Sequence, residues 1–146
     1  MKSETPLDIL RGRAKEDMEQ AAIGLGQIRQ SHQLARRQLD QLLDYETEYR
    51  QKLQQSMTDG MPSASWYNYQ QFIITLETAI EQHRALLAQW TQRLQQAMQA
   101  WQLKQQRLNS FVALQSRGDR ALQLKANRLD QKNMDEFAQR AALRKH

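Results

Sequence analysis

Apolar residues recur along this chain every seven positions, in two long runs separated by one short break. In the first run, every seventh residue from 7 reads Leu7, Ala14, Ala21, Ile28, Ala35, Leu42 and Tyr49, and four residues beyond each stand Arg11, Met18, Leu25, His32, Leu39, Glu46 and Leu53. In the second run, Trp66, Ile73, Ile80, Leu87, Leu94, Trp101 and Leu108 are accompanied three residues later by Tyr69, Leu76, His83, Trp90, Ala97, Lys104 and Phe111. Each run is the seam of a coiled-coil helix. The break is Thr58-Asp59-Gly60-Met61-Pro62-Ser63-Ala64, where Asp-Gly and Pro end one helix and Ser63 or Ser65 is placed to cap the next. The pattern predicts an all-α protein with a single coiled-coil domain over 1–146: helix 1 over about 5–57, a loop at 58–64, and helix 2 over about 65–140.

A short loop forces two such helices antiparallel, and their register is then fixed modulo seven. Pairing residues whose numbers add to 122 centres the turn on Met61. It sets Leu53 against Tyr69, Tyr49 against Ile73, Leu42 against Ile80, Leu39 against His83, Ala35 against Leu87, Ile28 against Leu94, Leu25 against Ala97, Ala21 against Trp101 and Ala14 against Leu108. Large repeatedly faces small, as close packing requires. In this antiparallel hairpin Leu7 reaches only Gln115, so the second helix overhangs from 116 to 146 with Leu122, Leu129 and Leu143 on its seam and Gly118 as a weak point.

The two flanks of the seam differ. One carries Arg29, Arg36, Arg50, Gln70, Glu77 and Arg84, with Leu43 as its exception, and reads as a solvated face. The other carries Gln38, Tyr45, Phe72, Ala79 and Leu86, which widen the seam residues Leu42, Tyr49, Leu76 and His83 into an apolar strip. Two helices cannot cover such a strip, and it marks either a partner site or self-association of two hairpins into a four-helix bundle.

Composition narrows the chemistry. With 40% hydrophobic residues but three Phe, four Tyr and three Trp, the chain cannot build a thick core, and only two Pro and five Gly interrupt its helix formers. The absence of cysteine excludes disulfides and thiolate metal or redox sites. No run is apolar enough for membrane insertion, and Met1-Lys2-Ser3-Glu4-Thr5-Pro6 lacks the apolar core of a secretion signal, so a cytoplasmic protein is expected. His32, His83 and His146 lie far apart or at a terminus, which offers no metal site and no catalytic pair. Glu46 reads as a snorkelling carboxylate, the three Trp as seam residues, and Arg117-Gly118-Asp119 as a chance tripeptide. A two-helix rod has no cleft, phosphate loop or nucleophile elbow. The chain is therefore expected to be no enzyme and to take no cofactor.

The net charge of +5 is uneven: residues 1–57 carry nine Lys/Arg against nine Asp/Glu, 58–115 four against three, and 116–146 eight against four. A nucleic-acid-binding helix needs denser basic charge than Lys125, Arg128, Lys132, Arg140, Arg144 and Lys145 diluted by Asp119, Asp130, Asp135 and Glu136, so no nucleic-acid partner is expected. An acidic or carbonyl-lined protein socket suits the overhang better.

The segments Leu42 to Arg50 (LLDYETEYR), Trp66 to Arg84 (WYNYQQFIITLETAIEQHR) and Arg128 to Arg144 (RLDQKNMDEFAQRAALR) resemble the FliJ family of the bacterial flagellar type III export apparatus. The resemblance implies an antiparallel coiled coil similar to the central stalk of rotary ATPases, with both termini inserted in the hexameric ring of the export ATPase FliI. It also implies contact with the export gate FlhA and with unloaded export chaperones such as FlgN and FliT, peripheral association with the inner membrane, and a role in flagellum biogenesis, motility and chemotaxis. The family's gate-contacting positions fall on Gln38, Leu42, Tyr45, Tyr49, Phe72, Leu76, Ala79 and His83, which is the strip already found. Ring contacts are assigned by position to Leu122, Lys125, Arg128, Leu129, Lys132 and Phe137. The alternatives are the analogous stalk of a virulence secretion system and a generic coiled-coil scaffold.

Overall fold

The computed structural model of the protein describes residues 3–144; Met1, Lys2, Lys145 and His146, named above, lie outside them. Two elements account for almost all of it: α1, Pro6–Thr58, and α2, Ser63–Arg144. Helix α2 runs to Arg144 rather than ending near 140, because no breaker follows Gly118 and the last turn is rich in Ala, Leu and Arg.

Local chemistry sets the helix ends. Pro6 occupies the first turn of α1, where its missing N–H costs nothing. Thr5 caps it: the Thr5 hydroxyl accepts the Asp8 N–H at 3.2 Å, while the Asp8 carboxylate accepts the Thr5 N–H at 3.1 Å and its hydroxyl at 3.0 Å. The Thr-x-x-Asp spacing carried that signal in the sequence. At the turn, Gly60 adopts φ 89°, which only glycine takes without strain, and its N–H donates to the Met57 carbonyl at 3.3 Å. Helix α2 then begins at Ser63, with the Pro62 carbonyl accepting the Trp66 N–H at 3.1 Å. Among the described residues neither Ser63 nor Ser65 caps with its hydroxyl, contrary to expectation, because the helix starts before Ser65 and Ser63 already lies inside it.

Contacts divide the chain into two units, each taken by itself: Glu19–Gln102, and the described residues of 1–18 with 103–146. In the first, Leu25, Ala35, Leu39, Leu53, Ile73, Leu76 and Ile80 are buried, and Leu39, Leu76 and Ile80 form a cluster against which Leu42, Leu43 and Leu87 pack. Burying each of these leucines and isoleucines contributes roughly 1.5–3 kcal/mol. Tyr49 meets Tyr69 and Phe72, His32 meets Thr91, and Arg50 meets Glu77. The paired numbers add to 118, 121, 123 and 127, which scatter evenly about the value of 122 read from the sequence.

In the second unit Ala14 is the one buried apolar residue among those described. The Gln115 amide bridges the helices, donating to Asp8 Oδ1 and accepting from Arg11, both at 2.5 Å. Beyond Gln115 every described residue of α2 is exposed, yet the helix continues through Gly118. Across the 28 seam positions of both runs only Arg11 and Trp66 are exposed. Arg11 reaches out to Gln115, and Trp66, expected in the core, stands 42% exposed in the first turn of α2, where it lines an open depression with Met57 of α1, Met61 and Ser63. Among the described residues no helix is long and apolar enough to cross a membrane.

Candidate protein-docking sites

The apolar strip belongs wholly to the Glu19–Gln102 unit. A seam of half-buried and buried residues leaves its flanking positions as the outermost apolar surface, and the side chains sort accordingly. Tyr45 is 53% exposed and Phe72 42% exposed; Gln38 is exposed beside them; Leu42, Tyr49, Ala79 and His83 are half-buried. Leu76, counted with the strip, is only 7% exposed and belongs to the core cluster, so it supports the surface from beneath. Seven of the eight positions thus reach the surface together, and the eighth holds them in place.

The aromatic end of the strip is organised by Tyr49. Its ring stacks on Phe72 with centroids 4.1 Å apart and planes at 25°, and meets Tyr69 at 6.2 Å and 57°. Tyr69 is a member of this cluster that flank patterning did not assign to the strip, since it is a seam position. His83, near the other end, has an enclosed Nδ1 with no hydrogen-bond partner among the described residues. The opposite flank is built differently. Arg50 pairs with Glu77 across the helices at 2.5 Å and with Glu46 of its own helix at 3.9 Å. The Glu46 carboxylate is partly exposed, as a snorkelling side chain is. Exposed ion pairs of this kind add little stability, so this flank is a solvated one.

The second candidate surface is α2 beyond Gln115. Leu122, Lys125, Arg128, Leu129 and Lys132 line one shallow, mostly apolar depression together with Ala126, while Phe137 stands further along the helix at 76% exposure. Lysine and arginine stems flank the leucines, so this face offers apolar contact rimmed by positive charge. Where this unit closes on α1, the Asp8 carboxyl is held below its ordinary value of 3.8, first by the Thr5 N–H, then by the Thr5 hydroxyl, with smaller help from Gln115 and Arg11. The glutamine clamp and the capping box share that one carboxylate. No group of three His, Asp or Glu side chains among the described residues is placed to hold a metal ion.

Comparison with known proteins gives a consistent result. Residues 2–146 match the family described as "Flagellar FliJ protein". A protein of that description from Salmonella typhi is 50% identical over 139 residues, covering 95% of each chain. One from Escherichia coli (strain K12) is 51% identical over 139 residues, again covering 95% of each.

Proposed function

The chain belongs to the FliJ family of flagellar proteins, and from that premise we propose that it is a non-enzymatic stalk and adaptor of the flagellar type III export apparatus. In this role the strip of Tyr45, Tyr49 and Phe72 docks on the export gate FlhA. The overhang, through Leu122, Lys125, Arg128, Leu129, Lys132 and Phe137, seats in the hexameric export ATPase FliI, stabilises the ring and raises its ATP hydrolysis. The protein also escorts unloaded export chaperones such as FlgN and FliT, and works at the cytoplasmic side of the inner membrane.

The observation that carries the gate assignment is the asymmetry of the flanks: exposed aromatic rings on one, an ion-paired flank on the other. Exposed apolar surface of this kind marks a partner site. For the ATPase, support comes from a helical segment exposed at every described residue beyond Gln115 and an excess of four positive charges, which favours a surrounding, electronegative socket. The test is to replace Tyr45 or Phe72 with Ala and measure binding to purified FlhA alongside circular dichroism. Binding should weaken by about tenfold or more with helicity and melting nearly unchanged. Equal loss on changing Arg36 and Glu77, on the opposite flank, defeats a one-sided site.

A further inference from the structure

Between Leu53 and Leu76 the chain carries a single charged residue, Asp59, so the turn end of the strip is nearly neutral. The rows that form the strip continue past it at the same seven-residue spacing: Gln38 and Tyr45 lead to Lys52 on α1, and Phe72, Ala79 and Leu86 lead to Arg93 on α2. Each row therefore ends in a cation. Both cations are laid on aromatic rings. The Lys52 ammonium stands 5.8 Å from the centroid of Tyr49, and the Arg93 guanidinium 4.9 Å from that of Trp90. Both residues are exposed, and neither forms an ion pair among the described residues.

A ring face attracts a cation through its quadrupole and narrows the volume its long side chain sweeps. Lys52 and Arg93 are thus pre-oriented charges without a carboxylate, one at each end of an apolar surface, and pre-orientation lowers the cost of ordering them in a complex. Tyr49 stacks on Phe72, and Trp90 lies 18 residues beyond Phe72 on α2, so the two rings are about 27 Å apart along the helix. The opposite flank lacks this arrangement: its arginine nearest the turn, Arg50, is already neutralised by Glu77.

We infer that Lys52 and Arg93 bracket the docking strip and select a partner surface with an acidic group at each end of an apolar stretch about 27 Å long. The inference rests on the strip being the gate-docking site. The apolar middle supplies contact area, and the two charges fix where along the strip the partner settles. A neutral partner surface, or one with acid at one end only, gains nothing from this spacing.

The experiment titrates the full chain into purified FlhA at low and high salt, with Lys52→Glu, Arg93→Glu, the conservative Lys52→Arg and Arg93→Lys, and Arg84→Glu as a control on the opposite flank. Each reversal should weaken binding about tenfold and flatten its salt dependence, while the conservative variants and the control stay near wild type. Both residues are exposed, so folding is not at stake, and circular dichroism checks this. Wild-type binding by both reversals, with Phe72→Ala still weakened, overturns the bracket and leaves the gate site standing. If Phe72→Ala also binds as wild type, the gate site itself falls. Equal loss in Arg84→Glu reduces the effect to net charge and overturns the bracket as well.

Discussion

Leu76 and Leu129 are leucines of one helix, yet the first is 7% exposed and the second 58%. The stretch around Leu76 has α1 across from it and forms a core with Leu39 and Ile80. The stretch around Leu129 is exposed at every described residue and is helical all the same. Helix-forming residues are enough to shape both stretches, but only cross-helix burial stabilises one of them in isolation. A helical region whose apolar face is left uncovered depends on a partner for most of its stability, which suits a segment that seats inside another protein.

Cutting the chain after Gln115 tests this contrast most severely. The shortened protein should keep the melting temperature of the full chain, since no described residue beyond Gln115 is buried, and still bind FlhA. Its stimulation of the FliI ATPase should disappear; full stimulation by the truncated chain removes the overhang from the ring contact. The same substitution made in both stretches comes next. Leu76→Ala should cost about 3 kcal/mol in chemical denaturation, as large-to-small changes in cores do, whereas Leu129→Ala should change unfolding by less than about 0.5 kcal/mol. Comparable losses from the two put a hidden covering surface over Leu129.

A smaller effect is expected where α1 is capped. Thr5→Ala should lower stability by about 1 kcal/mol, the usual worth of a capping side chain. The Asp8 carboxyl has a folded-state pKa below its ordinary value of 3.8, so its ionised form stabilises the fold above that value. That stabilisation is lost as pH falls through the lower folded value. An acid titration followed by circular dichroism should therefore show the gap between wild type and Thr5→Ala narrowing as pH falls through the lowered Asp8 value, without closing, because the Asp8 N–H still donates to the Thr5 hydroxyl. The smallest effect belongs to Gly118→Ala. A methyl group there meets nothing within 4 Å, so the change should raise helicity by about 1 kcal/mol of local propensity and leave FlhA binding untouched.

Much of this architecture was legible because the seven-residue period reports which face of a helix is covered. It picked out the seam, with Arg11 and Trp66 as its exposed members, and the two unlike flanks. Periodicity does not say how well a seam position is covered, which is why Trp66 read as core although it is 42% exposed in the first turn of α2. It assigned Leu76 to the strip as well as to the seam, and the structure shows the seam taking it. The clamp of Asp8, Arg11 and Gln115 was missed for another reason: it depends on two neighbouring side chains of α1 meeting one amide more than 100 residues away, and no local pattern announces that. Nor does spacing reveal that Tyr49 is the ring on which Phe72 stacks and Lys52 rests.

The turn at Gly60 also governs the order in which the chain assembles. Only residues 59–62 separate the helices, so the first pairs to meet close a small loop, and Tyr49 finds Phe72 across 23 intervening steps of chain. Each further layer then adds to an existing hairpin instead of closing a large loop from an open chain, whose entropic penalty grows with its length. His32 and Thr91 are 59 residues apart in sequence, and Gln115 and Asp8 are 107 apart, but zipping from Gly60 reaches both by short increments. Folding that starts at the turn makes the Asp8–Gln115 clamp one of the last contacts formed and one of the first to open.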